Sequence, residues 1–291
     1  VSPAAKEEGA RLVQEWIDAR MTRDARDKTF AVELGFHVWL DEQTLVIGVQ
    51  DRIAEDKDGY YGCEWKTAKE PKKNRNGEDS AWWNERVWEN ELTNGPQLAI
   101  YALAQNRGTF FRRDGTAFHL GVSSPRIYVR AVVKSVPCVF WGDKMVSFSE
   151  AQLENTVQGL LTKAETIRRL RRYSHVPWQL PGKQCFAFNR ECGLFEKWCG
   201  KGLHPTTVTS VRFDPGDPAA TLALPHLPAS VWTREDLVIL SASSYTTASD
   251  CLEKYRIISG ALTGGGKDSS LELDTGTVLH AGVAEAYRQL M

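Results

Sequence analysis

The sequence predicts an α/β protein with a central mixed sheet flanked by helices, plus a small cysteine-rich lobe. Three observations predict it. Segments with helical spacing of apolar residues alternate with runs of strand-like alternation. An Asp58-Gly59 turn joins two strand-like runs into a hairpin. Late in the chain, Cys185, Cys192 and Cys199 recur at equal steps in an aromatic-rich stretch.

In chain order, an amphipathic helix is expected over 3–24 and strands near 30–40, 44–54 and 60–67. A helix follows over 96–106, then strands near 117–122, 126–134 and 137–148. Ser149 and Gln152 have capping-box spacing, so a long helix is expected over 149–172. Residues 181–200 form the cysteine lobe. Residues 201–238 hold Pro205, Pro215, Pro218, Pro225 and Pro228, as a connecting segment should. Two further helices are expected over 244–258 and 276–291. The main part of the domain is thus 1–180, with 239–291 as a second contribution to it.

Composition is that of an ordinary globular chain, and 291 residues suffice for one large domain or two small ones. No apolar run approaches the ~20 residues of a membrane helix. No basic-then-apolar leader is visible at the start, so a cytoplasmic setting without membrane contact is expected. Formal net charge is −1, so any contact with nucleic acid must come from local patches. Lys69, Lys72, Lys73 and Arg75, followed by Trp82, Trp83 and Trp88, form one candidate for a single strand. Arg168, Arg169, Arg171 and Arg172 form another, which equally suits a basic helix C-terminus.

The chemistry concentrates in Gly48 to Lys69. Glu64 and Lys66 are two apart on a strand and share a face. Asp51 ends the other strand of the hairpin and reaches that face if the strands pair. Two adjacent carboxylates favour a hard divalent cation such as Mg2+ or Mn2+. The Lys66 ammonium can face a phosphate or an attacking water. These are parts for phosphodiester hydrolysis. The plain alternative is an exposed hairpin of mixed charge.

Three motifs in order, Gly48-Val49-Gln50-Asp51-Arg52-Ile53, Glu64-Trp65-Lys66-Thr67 and Gln97-Leu98-Ala99-Ile100-Tyr101, resemble the PD-(D/E)XK nuclease superfamily in its RecB-like branch. The resemblance implies a restriction-endonuclease-like core. It implies a cation site of Asp51, Glu64 and the Trp65 carbonyl, with Lys66 beside the attacking water and Gln97 and Tyr101 orienting substrate or lysine. The same branch begins with a segment that this chain holds near its end: Ser241 and Ser243, a helix with Cys251 and Tyr255, then Gly276, Thr277 and His280. His280 is the implied further metal ligand. Residues 239–291 therefore read as a circular permutation of the usual order. The rival is the start of a second, truncated copy. Glu33 is a candidate only at the edge of the site.

Of six cysteines, Cys63 and Cys138 read as core. The resemblance extends to the Cas4 and AddB types, which carry a 4Fe–4S cluster. It implies Cys251 as one ligand and Cys185, Cys192 and Cys199 as the others. The late cysteines are spaced wider here than in those types. The same four thiolates suit Zn2+, and packed thiols are the third option. His37 and His119 read as packed or edge residues.

The expected function is a Mg2+- or Mn2+-dependent DNA nuclease, an exonuclease of recombination, repair or phage DNA processing. Its partner is a single strand or duplex end, with a recombination or helicase protein alongside. The alternative is a non-catalytic DNA-binding module on the same fold. An iron–sulfur electron-transfer enzyme ranks last, because it leaves the hairpin's charges without a role.

Overall fold

A computed structural model describes residues 3–21, 24–68, 90, 93–112, 114–135, 137–171, 227, 231, 234, 236–242, 245, 249 and 281–289. Contacts divide the chain into two units. The first comprises Val1–Val38, Gly48–Glu154 and Asp268–Met291, and the second Trp39–Ile47 and Asn155–Lys267.

Helix α1 is Pro3–Trp16 and buries Ala5, Gly9, Leu12 and Trp16 along one helical face. The α-helix expected to continue to residue 24 instead widens into a π-helical turn over Ile17–Met21. Trp16 and Met21 both pack into one cluster. They are five residues apart, and a π turn closes at that spacing. Trp16 meets Trp65 and Phe140 edge-on at 6.2 and 5.9 Å.

Three strands follow: β1 (Lys28–Asp41), β2 (Thr44–Asp56) and β3 (Gly59–Ala68). The β2–β3 turn sits one residue earlier than expected, at Lys57 and Asp58. Gly59 follows at φ +102°, a backbone that glycine adopts without strain. The Asp56 carboxylate accepts the Asp58 N–H at 2.8 Å. It also takes two bonds from Arg126, at 3.0 and 2.7 Å, which tie the turn to a later strand.

Helix α2 (Pro96–Arg107) starts with proline in its first turn and ends at Gly108, whose N–H caps Ala104. Strands β4 (Thr109–Phe111), β5 (Ala117–Phe118), β6 (Arg126–Val133) and β7 (Val139–Ser147) come next. β4 was not expected from the pattern, and β5 is shorter than the strand expected over 117–122. Helix α3 (Glu150–Arg171) opens with the expected capping box: Ser149 N–H donates to Gln152 at 2.9 Å, and Gln152 N–H to Ser149 Oγ at 3.3 Å. β8 (Val238–Leu240) pairs in parallel with Thr44–Val46. A helix over residues 281–288, here α4, closes the described chain.

Among the described residues the sheet has eight strands in the order β5-β4-β1-β2-β3-β6-β7, with β8 also on β2. β2 and β3 are antiparallel, and β3 and β6 are parallel. The sheet is mixed, as expected. Leu12, Trp16, Ala54, Tyr61, Cys63, Trp65, Val132, Val283, Ala284 and Tyr287 form one core cluster. α4 approaches α1 closely, since a Cβ on Gly282 would lie 2.5 Å from Val13. Among the described residues no helix is long and apolar enough to cross a membrane.

Candidate active site

The site is built on the β2–β3 hairpin. The paired register runs from Asp56–Gly59 to Arg52–Cys63, and the next residues along are Asp51 and Glu64. β3 splits its side chains cleanly. Tyr61, Cys63 and Trp65 enter the core cluster with α1 and α4. Glu64 and Lys66 take the other face, under α2. On β2 the alternation breaks. Asp51 acts on Tyr101 of α2, and its neighbour Gln50 also turns toward α2, over Gly62. Two consecutive side chains on one face mark a local irregularity where the pairing ends. Gly48 fits because the Phe36 ring lies against it; a Cβ there would come within 2.5 Å of that ring. Phe36 in turn meets Tyr101 edge-on at 5.9 Å.

Glu64 is the hub. It is 1 % exposed, and Gln97 Nε2 donates to its Oε1 at 2.7 Å. Lys66 Nζ pairs with the same oxygen, and the Tyr101 hydroxyl also bonds to this carboxyl. Gln97 Nε2 lies 2.9 Å from the Tyr101 oxygen, so one amide bridges phenol and carboxylate. Gln97 and Tyr101 are one helical turn apart, which makes this possible. Burial pushes the Tyr101 pKa well up, and the negative charges of Glu64 and Asp51 push it further. The phenol therefore keeps its proton. Asp51 Oδ2 accepts the Trp65 N–H at 2.8 Å, fixing one carboxylate to the strand that carries the other.

The opposite face holds the strand from behind. Tyr287 of α4 stacks on Trp65, with centroids 5.2 Å apart and planes within 9°. Its ring lies under the Arg52 guanidinium at 4.2 Å, and its hydroxyl bonds to Asp24. Arg130 pairs with the same Asp24 carboxylate. Arg52 donates to Thr29 at 2.9 Å and contacts Cys63 Sγ at 3.7 Å. Burial works against charge on both arginines, but Cys63 and Asp24 among their neighbours outweigh it, and both pKa values rise. Burial also raises the Cys63 pKa.

The structure thus brings Asp51, Glu64, Lys66, Gln97 and Tyr101 together, and Trp65 presents its N–H to Asp51. His280 and Cys185, Cys192, Cys199 and Cys251 lie outside the described residues, as do Lys69 to Trp88 of the first basic patch. Arg168 and Arg169 both bond to Glu165, which fits a basic helix end. Glu33 is exposed, at φ +49°, and pairs with Arg288 at 2.9 Å. Cys63 is core, as expected. Cys138 is only half-buried; its N–H donates to Glu15 at 2.6 Å, so its apolar sequence context hid a polar partner. His37 packs beside Phe111 and His119 bonds to Gly108 O. Sequence reasoning missed Tyr287 and the buried pair Gln50 and Gln105. Gln105 continues the spacing of Gln97 and Tyr101 by one more turn, a signal that was there to be read.

Two carboxylates against one ammonium leave a net negative charge in a partly dry site. Their oxygens are hard donors that fit Mg2+ or Mn2+. Among the described residues no group of three or more His, Cys, Asp or Glu side chains is placed to hold a metal.

A carboxylate pair and a lysine at the end of a hairpin, gripped by a helix, are side chains suited to metal-assisted phosphodiester hydrolysis. Residues 3–199 match the PD-(D/E)XK nuclease superfamily, and the chain belongs to it. Nucleases of this superfamily use divalent metals such as Mg2+ or Mn2+ and act on DNA. A comparison with curated proteins gave no match.

Proposed function

We propose that the protein is a Mg2+- or Mn2+-dependent deoxyribonuclease of the RecB-like branch, acting as an exonuclease in recombination, repair or phage DNA processing. One observation carries this reading: Asp51, Glu64 and Lys66 share one face, with Gln97 and Tyr101 of α2 closing over them. Asp51, Glu64, the Trp65 carbonyl and His280 would hold the cation. A cation there supplies positive charge to the scissile phosphate and makes a bound water more acidic. Gln97 and Tyr101 keep Glu64 oriented, and the protonated phenol steadies its charge. Lys66 is 30 % exposed, so its ammonium can reach outward from Glu64 to a phosphate oxygen or an attacking water.

The permuted order draws support from α4. Val283, Ala284 and Tyr287 pack into the same cluster as Trp65 of the hairpin. Under that order Cys251 joins Cys185, Cys192 and Cys199 around a 4Fe–4S cluster, with Zn2+ as the alternative occupant. A recombination or helicase protein would deliver the DNA end.

Lys66→Ala tests the assignment. DNA binding should persist, while cleavage falls by about 10²-fold or more. Cleavage at the unaltered rate refutes the role given to Lys66.

A further inference from the structure

We propose that Gln50 and Gln105 form a buried amide clamp that positions Asp51 relative to α2, with Gly62 leaving the space it needs. Both side chains are fully buried. Among the described residues, neither the nitrogen nor the oxygen of either amide has a hydrogen-bond partner. A Cβ on Gly62 would fall 1.8 Å from Gln50 Nε2 and 2.4 Å from Gln105 Nε2. The two amides therefore meet above residue 62, in the volume that any larger residue would claim.

Two orphaned amides in a dry interior are costly, because each donor and acceptor has given up water for nothing. A bond between them offsets part of that cost, giving one donor and one acceptor a partner. Turning either amide by half a rotation about its Cγ–Cδ bond sets a carbonyl oxygen where a nitrogen stood, giving N–H···O=C between them. The placement gives this bond a purpose. Gln50 immediately precedes Asp51 at the irregular end of the β2–β3 pairing. Gln105 lies one turn beyond Tyr101 and two beyond Gln97 on α2. Gly62 is two residues before Glu64 on the same face of β3. The clamp joins the strand that presents one carboxylate to the helix that holds the other.

The structural half of this proposal stands alone, whereas its consequence for metal use rests on the nuclease reading. Gln50→Leu, Gln105→Leu and the double variant are compared in the full chain by urea unfolding. Each single change leaves one buried amide orphaned and should shift the folding equilibrium by about tenfold or more. The double variant should lose clearly less than the two singles combined. Additive losses overturn the clamp. Gln105→Glu adds a second readout. A protonated carboxyl can keep the bond, and burial raises its pKa, so the stability it restores at low pH should be lost as pH rises through that raised value. Stability independent of pH in that variant also overturns the clamp.

For positioning, the Mn2+ concentration giving half-maximal DNA cleavage should rise several-fold in Gln105→Leu with the KM for DNA unchanged. Leu160→Ala, a core change elsewhere, should leave that concentration alone. An unchanged metal requirement overturns the positioning role. Coupling in the stability cycle together with an unaltered chain that never cleaves DNA sinks the nuclease reading and leaves the clamp intact.

Discussion

Replacing Tyr287 with phenylalanine removes one oxygen from the core and tests whether α4 belongs to the domain that carries the site. The ring remains, so its stack on Trp65 and its contact with Arg52 persist. What is lost is the bond to Asp24, a charged acceptor 263 residues away in sequence. Hydrogen bonds to charged groups contribute about 1.5–3 kcal/mol. For a domain of this size about 1 kcal/mol moves Tm by roughly 2–4 °C, so a fall of roughly 3–12 °C is expected. Tyr287→Ala also empties the space of a fully buried ring and should cost about 3–5 kcal/mol in all, or more. The assay is urea and thermal unfolding of the full chain. An alanine variant within about 0.5 kcal/mol of the unaltered protein, the range of ordinary surface changes, would refute the docking of α4 against the hairpin.

Three other perturbations probe separate parts of the account. Gly48→Ala puts a methyl 2.5 Å from the Phe36 ring, which is buried against Tyr101. It should destabilise by about 1–3 kcal/mol in urea unfolding. Glu15 is held down to about 2, first by bonds from the Cys138 thiol and N–H and then by Arg11. A lowered carboxylate pKa gives stability that is present above the unfolded value and is lost as pH falls through the folded one. Unfolding curves recorded at successive pH values from 4.5 down to about 2 should therefore fall less steeply in Glu15→Gln. Protein purified without oxygen should carry iron and sulfide with a broad band at about 400 nm, or else zinc; neither metal would remove Cys185, Cys192, Cys199 and Cys251 as a binding set.

Much of this architecture was legible because its signals are local. Alternation marks β1, β2 and β3, and Asp58-Gly59 marks the hairpin that brings Asp51, Glu64 and Lys66 together. One helical turn separates Gln97 from Tyr101, and both reach Glu64 for that reason. What stayed hidden depends on tertiary packing. The step from Trp16 to Met21 looks like a continuing helix until both are seen in one cluster. The break in alternation at Gln50 and Asp51 is set by the end of a pairing register, which β2 alone does not disclose. Tyr287 finds Asp24, Arg52 and Trp65 across almost the whole chain. Cys138 looked apolar from its neighbours, yet its backbone meets Glu15 of α1.

Incubating the purified 291-residue chain with linear DNA, with and without Mn2+ or Mg2+, addresses the central claim most directly. Degradation should require the added cation, stop with chelator, and be absent in Glu64→Gln and Asp51→Asn variants that unfold normally. DNA left intact by the unaltered protein at every metal concentration would contradict the account, as would cleavage that survives loss of both carboxylates.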